Sequence, residues 1–285
     1  MGISRVLPLL ELDSQERSSA TTRRGEVELP QNLKNHVIDP LQAFSKKAVY
    51  YHNRPRYPRQ LLDLLIKECG LKPESVIADI GSGTGFLTRL LLTMGNKVFA
   101  VEPNEEMRRI AENDLVDFPG FISLKGKAEK IPLPAETVDV VAVGQALHWF
   151  EIAAARSEFL RILRPGGWIV VVDNVMNNDA SSFMLSYQKF RDQFFTDLGT
   201  AADPPEKIVR LFKQVNYQKY SITNPFRCDE SVFRAGILSS ATAPLPGSEG
   251  FAEFEAALHL LFTQFQSDEK VEVLFDTVVW MGKLK

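Results

Sequence analysis

Cysteine is scarce: Cys69 and Cys228 are the only two in 285 residues. They form no CxxC pair, so neither a disulfide framework nor a thiolate cluster is suggested, and a reducing compartment fits best. The four histidines, His36, His52, His148 and His259, lack HxxxH-type spacing, and no metal site is expected. A basic excess is missing too. There are 33 Lys and Arg against 36 Asp and Glu, a net charge of −3. Proteins that track phosphate backbones usually carry the opposite balance, which disfavours a nucleic-acid partner. No apolar run approaches the roughly 20 residues that span a bilayer, so no membrane partner is expected. MGISRVLPLL is too short an apolar stretch, and too soon followed by Glu11 and Asp13, to read as a signal peptide. The myristoylation pattern fails at Val6. The expectation is a soluble, cytoplasmic chain without repeats or low-complexity tracts.

What is present suits a globular α/β protein. Hydrophobic residues make up 45% of the chain and charged residues 24%, ample for a full core. Residues 1–40 mix Ser, Thr, Arg and Glu without a period and read as a loose arm, and residues 41–285 as one domain. Leucines at 61, 62, 64 and 65 follow Pro58 and precede Gly70, the marks of a helix start and stop. From residue 76 strands and helices alternate. Strands are expected at Val76–Ile80, Lys97–Val101, Phe121–Leu124, Val138–Val143 and Trp168–Val172. Helices are expected at Thr84–Met94, Glu105–Asn113 and Ile152–Leu163, the last ended by Pro165-Gly166-Gly167. Such strands, apolar throughout, predict a parallel sheet covered on both faces. The rhythm breaks over 176–270. Phe183, Tyr187, Phe190 and Phe194 form one helical stripe, read as core packing more readily than as a substrate cage. A strand near Tyr217–Ile222, a helix near Phe251–Phe265 and a strand at Val271–Met281 complete a sheet with a substrate cap inserted in it.

Two features point to a ligand. Asp79-Ile80-Gly81-Ser82-Gly83-Thr84-Gly85 follows a strand and opens a helix, where glycines allow close backbone approach and the helix N-terminus adds positive charge. Seventeen residues after Gly85, Glu102 ends the next strand, where a carboxylate can accept both hydroxyls of a ribose. A solvated carboxylate before the Pro103-Asn104 turn is the plain alternative. A dinucleotide fingerprint would place a third glycine at 86, which is Phe86.

VIADIGSGTG, VFAVEPN, GKAEKIPLPAETVDVVAVGQALHWF and LRILRPGGWIVVV resemble, in order and spacing, the successive motifs of class I S-adenosylmethionine-dependent methyltransferases. YYHNRPRYP at 50–58, SSATAP at 239–244 and FDTVVWMGKLK at the end are similar to a branch that includes trans-aconitate methyltransferase and related small-molecule enzymes. The resemblance implies a Rossmann-like seven-stranded sheet, mostly parallel, with helices on both faces, the last strand antiparallel and a helical cap inserted after the fifth strand. It implies S-adenosyl-L-methionine as cofactor. Asp79, Gly81, Ser82 and Gly83 would hold its methionine part, with Gln145 and Ala146 nearby. Glu102 would bind the ribose, with Pro103 and Met107 beside the adenine and Ala128 and Glu129 at its edge. Many relatives carry Asp just before that alanine, whereas this chain has Lys127. Tyr50 and Arg54 would close over the cofactor, Arg54 pairing with its carboxylate.

Methyl transfer from a sulfonium is an in-line displacement, so proximity and alignment are the main tasks of the protein. An aromatic face at Trp149 or Tyr50 could favour the positive sulfonium. A base is needed only if the acceptor must lose a proton, and His148 is the one candidate from the sequence. The competing reading makes His148 and Trp149 a packing pair in the wall of the substrate pocket. The expected reaction is methylation of a small-molecule carboxylate or phenol-like oxygen. The rivals are an NAD-dependent oxidoreductase and a non-catalytic cofactor-binding protein on the same fold. Gly144-Gln145-Ala146-Leu147-His148-Trp149 lacks the Asn-Pro-Pro-aromatic pattern of amino-directed nucleic-acid methyltransferases, which favours the small molecule.

Overall fold

The computed structural model describes residues 3–6, 48–195, 204–213, 216–240, 242–244 and 246–284. Eight strands form one sheet. In chain order they are β1 (Ile3–Val6), β2 (Val76–Ile80), β3 (Lys97–Val101), β4 (Phe121–Leu124), β5 (Val138–Gly144), β6 (Leu163–Met176), β7 (Gln218–Cys228) and β8 (Val271–Lys283). Their spatial order is β1-β7-β8-β6-β5-β2-β3-β4. Strands β2 to β6 pair in parallel, β8 runs antiparallel between β6 and β7, and β1 pairs antiparallel with β7. This is the expected mixed, Rossmann-like sheet of seven strands with an eighth at its edge. That edge strand corrects the reading of residues 1–40 as a loose arm, at least over 3–6. The rest of that arm lies outside the described residues. The strand order reverses between β2 and β5, and in open sheets of this kind ligands bind at the strand C-terminal ends beside that reversal.

Helices cover both faces because the strands are apolar on both. On one face lie α1 (Gln60–Cys69), α2 (Phe86–Leu92) and α3 (Glu105–Asp114). Leu61, Leu64, Leu87, Leu91 and Leu115 pack there on Ile77, Val98, Val140 and Val170, all essentially without solvent contact. On the other lie α4 (Ile152–Ile162) and α6 (Pro204–Phe212), whose Phe159, Ile162, Ile208 and Phe212 pack on Val141, Val143 and Val171. The Arg156 guanidinium ties α4 to α6 by donating to the Leu211 carbonyl at 2.8 Å. Helix starts follow capping chemistry: Asn104 accepts from Met107 N–H at 3.1 Å, and the Glu151 carboxylate from Ala153 and Ala154 N–H. Gly70, at φ 65°, closes α1 as its left-handed C-cap.

A third apolar cluster makes the cap. Helices α5 (Ser182–Phe194), α7 (Glu230–Leu238) and α8 (Phe251–Phe265) gather over the upper ends of β7 and β8. Phe183, Tyr187 and Phe190 are buried in it, as the packing reading expected. Two expectations need correction. The cap is not one insertion after the fifth strand: α5 follows β6, whereas α7 and α8 lie between β7 and β8. Within 176–270, β7 is the strand expected near Tyr217–Ile222, and α6 packs on the sheet. Pro165-Gly166-Gly167 does not separate helix from strand, because β6 already begins at Leu163. Residues 164–167 bulge from the ladder: Leu163 pairs with Val138 and Trp168 with Val140, while Gly166 turns at φ 77°.

Candidate functional site

The glycine loop crosses from β2 to α2 with Gly81, Gly83 and Gly85 at φ of 70°, 57° and 86°, a region that side chains disfavour. Gly81 and Ser82 donate to the Val101 carbonyl at 2.8 and 3.2 Å, which folds the loop over the end of β3. The glycines serve different needs. A Cβ on Gly81 would lie 2.6 Å from the Ala146 Cβ, so Gly81 lets the loop pack on the end of β5. A Cβ on Gly83 would meet only the Met107 Sδ, at 3.8 Å, so Gly83 borders open space beside buried Met107.

Glu102 joins this loop to the next turn. Its Oε2 accepts from Gly83 N–H at 3.0 Å and its Oε1 from Asn104 N–H at 2.8 Å. Burial pushes its carboxyl up, and those two bonds oppose the rise. Each oxygen keeps a lone pair for a further donor. Arg108, which the sequence reading missed, donates to the carbonyls of Glu102 and Pro103, both at 2.9 Å, and so fixes the turn. The signal available was its place in the first turn of the helix after the acidic residue.

Asp79 is the buried anchor of the loop. Its Oδ2 accepts from Thr88 Oγ1 at 2.6 Å, while its Oδ1 is buried and has no hydrogen-bond partner among the described residues. Burial raises its carboxyl to about 7 against the opposing pull of Thr88. An orphaned buried oxygen carries a desolvation cost of about 1–3 kcal/mol, which a ligand donor would relieve.

The end of β5 faces this group. Gln145 takes φ 51° and donates its N–H to the Val172 carbonyl at 2.9 Å, and Ala146 is buried behind it. Tyr57 lies directly on this backbone, since a Cβ on Gly144 would come within 2.7 Å of its hydroxyl. The Tyr57 phenol is pushed well up, first by burial, then by the charges of Asp173 and Asp79. The sequence reading named Tyr50 and passed over Tyr57 and Asp173. Tyr50 instead packs against the cap cluster. Arg54 is held by Ser239, donating to its hydroxyl at 2.8 Å and its carbonyl at 2.9 Å. The structure therefore brings YYHNRPRYP and SSATAP together, but by tying Arg54 to the cap.

Ala128 is buried in the core, and Glu129 Oε1 accepts from Glu151 N–H at 2.9 Å, tying one oxygen to the start of α4. His148 and Trp149 sit in a short 3-10 turn with ring centroids 4.7 Å apart. Burial, then Lys207 and Arg54, lower the His148 imidazole to about 4. Lys207 donates from α6 to the His148 and Phe150 carbonyls at 2.6 and 3.2 Å. A histidine so held is neutral at pH 7 and a weak proton acceptor, which favours the pocket-wall reading. Among the described residues no group of three or more His, Cys, Asp and Glu side chains could hold a metal, and no helix is long and apolar enough to cross a membrane.

Comparison with known proteins agrees with this geometry. Residues 78–171 match the family model described as a methyltransferase domain. An uncharacterized methyltransferase of Mycobacterium tuberculosis (strain H37Rv) is 39% identical over 130 residues, 46% of this chain and 51% of that protein. One from Schizosaccharomyces pombe is 35% identical over 132 residues, again 46% and 51%. The chain spans about half the length of these curated relatives. Among solved structures, a candidate type II methyltransferase from Anaeromyxobacter dehalogenans matches 81% of this chain and 98% of its own, with TM-score 0.57 and 22% identity. A candidate methyltransferase from an antibiotic biosynthesis pathway of Anabaena variabilis matches 79% and 97%, with TM-score 0.55 and 23% identity. At that identity the two structures show the shared fold alone.

Proposed function

We propose that the protein, whose residues 78–171 match the family model of a methyltransferase domain, transfers a methyl group from S-adenosylmethionine to an oxygen, carboxylate or phenol-like, of a small molecule. The observation that carries this reading is the pairing of Glu102, bonded to Gly83 N–H, with the orphaned oxygen of Asp79 across one loop. Those residues fit the cofactor. The loop offers open space at Gly83, two carboxylates and a left-handed backbone. Glu102 would accept the ribose hydroxyls and Asp79 Oδ1 the ammonium of the methionine part. Met107 and Pro103 would wall the adenine, and Gln145 and Ala146 would close the far side. The bound cofactor supplies a methyl already activated on sulfur, so the residues around it orient and exclude water. Alignment of this kind contributes up to roughly 7–11 kcal/mol in favourable intramolecular models. The comparisons do not support the oxidoreductase rival, and the third glycine it requires is replaced by Phe86, which lies under the Arg56 guanidinium at 3.6 Å. The net charge of −3 supports a small acceptor over nucleic acid.

The test is calorimetric titration with S-adenosylhomocysteine, with NADH as control. Stoichiometric binding of the former alone is expected. Gly83→Val should abolish it, because a branched side chain meets both a positive φ and the ligand's space. Glu102→Ala should weaken it by about tenfold or more, the loss of one charge-assisted contact. Binding of NADH instead, or normal binding by Gly83→Val, overturns the reading.

A further inference from the structure

Resting on that reading, one buried carboxylate has no role in it. Asp173 follows Val172 near the C-terminal end of β6, next to the end of β5. Its Oδ1 is buried and has no hydrogen-bond partner among the described residues. Burial raises its carboxyl, and the nearby Gln145 backbone N–H, which bonds the Val172 carbonyl, opposes the rise. Its charge bears on the Tyr57 phenol ahead of that of Asp79. Two orphaned carboxylate oxygens, on Asp79 and Asp173, thus flank the Gly144-Gln145 turn on which Tyr57 lies. The cofactor's methionine part carries a single ammonium, and Asp79, within the glycine-loop assembly, is placed to take it. Asp173, on the neighbouring strand end, is left with no partner in that assignment. An unsatisfied buried polar group in a native fold calls for an explanation, and a catalytic role is one such explanation.

We propose that Asp173 is the general base of the reaction, receiving the proton of a hydroxyl or phenol acceptor, so that the substrate is an O–H compound and not a carboxylate. The oxygen–methyl bond forms as the carbon–sulfur bond breaks, its electron pair stays on sulfur, and the acceptor proton passes to Asp173 Oδ1 and then to solvent. His148 is unsuited to this task, since Lys207 and Arg54 oppose its protonation. Asp173 has no such opposition. Burial holds its carboxyl at about 6, ionised at pH 7 yet basic enough to accept a proton. The charged groups that act on the neighbouring Tyr57 phenol are Asp173, Asp79 and Arg54.

Three measurements on the full chain test this. First, Asp173→Asn should bind S-adenosylhomocysteine within twofold of the unaltered protein. A tenfold loss assigns Asp173 to the cofactor and overturns the base role, while leaving the methyltransferase reading intact. Failure of the unaltered protein to bind sinks that reading instead. Second, thermal unfolding should show Asp173→Asn at least as stable as the unaltered protein at pH 7. The carboxyl is raised on folding, so its contribution is most favourable below pH about 4 and is lost as pH rises through about 6. The variant's relative advantage should therefore grow across that window. A variant less stable than the parent at pH 7 makes Asp173 a structural group and overturns the proposal. Third, labelled S-adenosylmethionine is offered with phenols, aliphatic alcohols and carboxylic acids. Transfer to O–H acceptors is expected, falling tenfold per pH unit below about 6. In Asp173→Asn it should drop at least a hundredfold and lose that slope. Transfer to carboxylates only, to no O–H acceptor, or with an unchanged rate in the variant, overturns it.

Discussion

Single side chains in this molecule are tuned in opposite directions within one small region. Asp79 and Asp173 are raised by burial, while His148 is lowered by burial and by two nearby cations. The histidine carries a stability signature that can be measured. Its pKa falls from an ordinary 6.5 to about 4 on folding, so the unfolded chain binds the proton more readily. The stability it contributes is fully present above pH 6.5 and is lost as pH falls towards about 4. His148→Asn should remove that part of the acid sensitivity, so unfolding midpoints of variant and parent should converge as pH falls through this window. If the parent loses no more stability there than the variant, the imidazole is not held neutral. The same residue marks a limit of sequence reading. His148 stood out because histidine after a strand is a familiar sign of a base, yet no sequence pattern reveals that Lys207, fifty-nine positions on, would be pinned against its carbonyl. Asp173 was invisible for the converse reason: in a row of valines it reads as the end of a strand.

Segments explain why some contacts were legible and others not. The glycine loop, Glu102 and the strands β2 to β6 were readable because each depends on neighbours within a few residues, such as a positive φ, a helix start or an apolar run. Docking of the 54–58 segment was not, since it depends on partners more than a hundred residues away. The Asn174 side chain donates to the Pro55 carbonyl at 3.3 Å and accepts from Thr277 Oγ1 at 2.6 Å, while Asn224 donates to the Arg56 carbonyl at 2.9 Å. With Arg54 held by Ser239 and Arg56 over Phe86, this segment is stitched to the sheet, the cap and the glycine-loop helix at once. Asn174→Ala would leave the fully buried Thr277 hydroxyl without its acceptor, a loss of about 1–3 kcal/mol. Amide exchange over 54–58 should quicken in that variant, whereas exchange in β2 and β3 should follow only the global loss. Equal quickening everywhere means that the asparagine supports the whole fold and does not dock this segment in particular.

At the scale of the whole molecule, three apolar clusters divide the labour. Two lie on opposite faces of the sheet and make it rigid, and the third is centred on α5, α7, α8 and the upper ends of β7 and β8, with Tyr50 and Met176 at its margin. The cap is rich in aromatic rings, with Phe183, Tyr187, Phe190, Phe233 and Phe254 in chains of contacts between 5.2 and 6.4 Å. Its attachment to the glycine-loop side runs through polar links such as Arg54 to Ser239. The division predicts that the cap can be loosened without dismantling the cofactor cradle, because Asp79, Gly83 and Glu102 are supported by the sheet clusters alone. Phe254 is the place to test it, as it is fully buried and its ring partners Phe190, Phe194 and Phe251 all belong to the cap. Phe254→Ala should cost about 3–5 kcal/mol, the usual range for an aromatic cavity. If the cap is a separate cooperative unit, that loss appears as an early transition in the cap helices, with faster amide exchange in α5 and α8. Affinity for S-adenosylhomocysteine should then change less than threefold below that transition. Loss of cofactor binding in step with the cap would mean that the crevice over β2 and β5 is built jointly by sheet and cap. In that case acceptor and cofactor would have to be recognised by one folding unit.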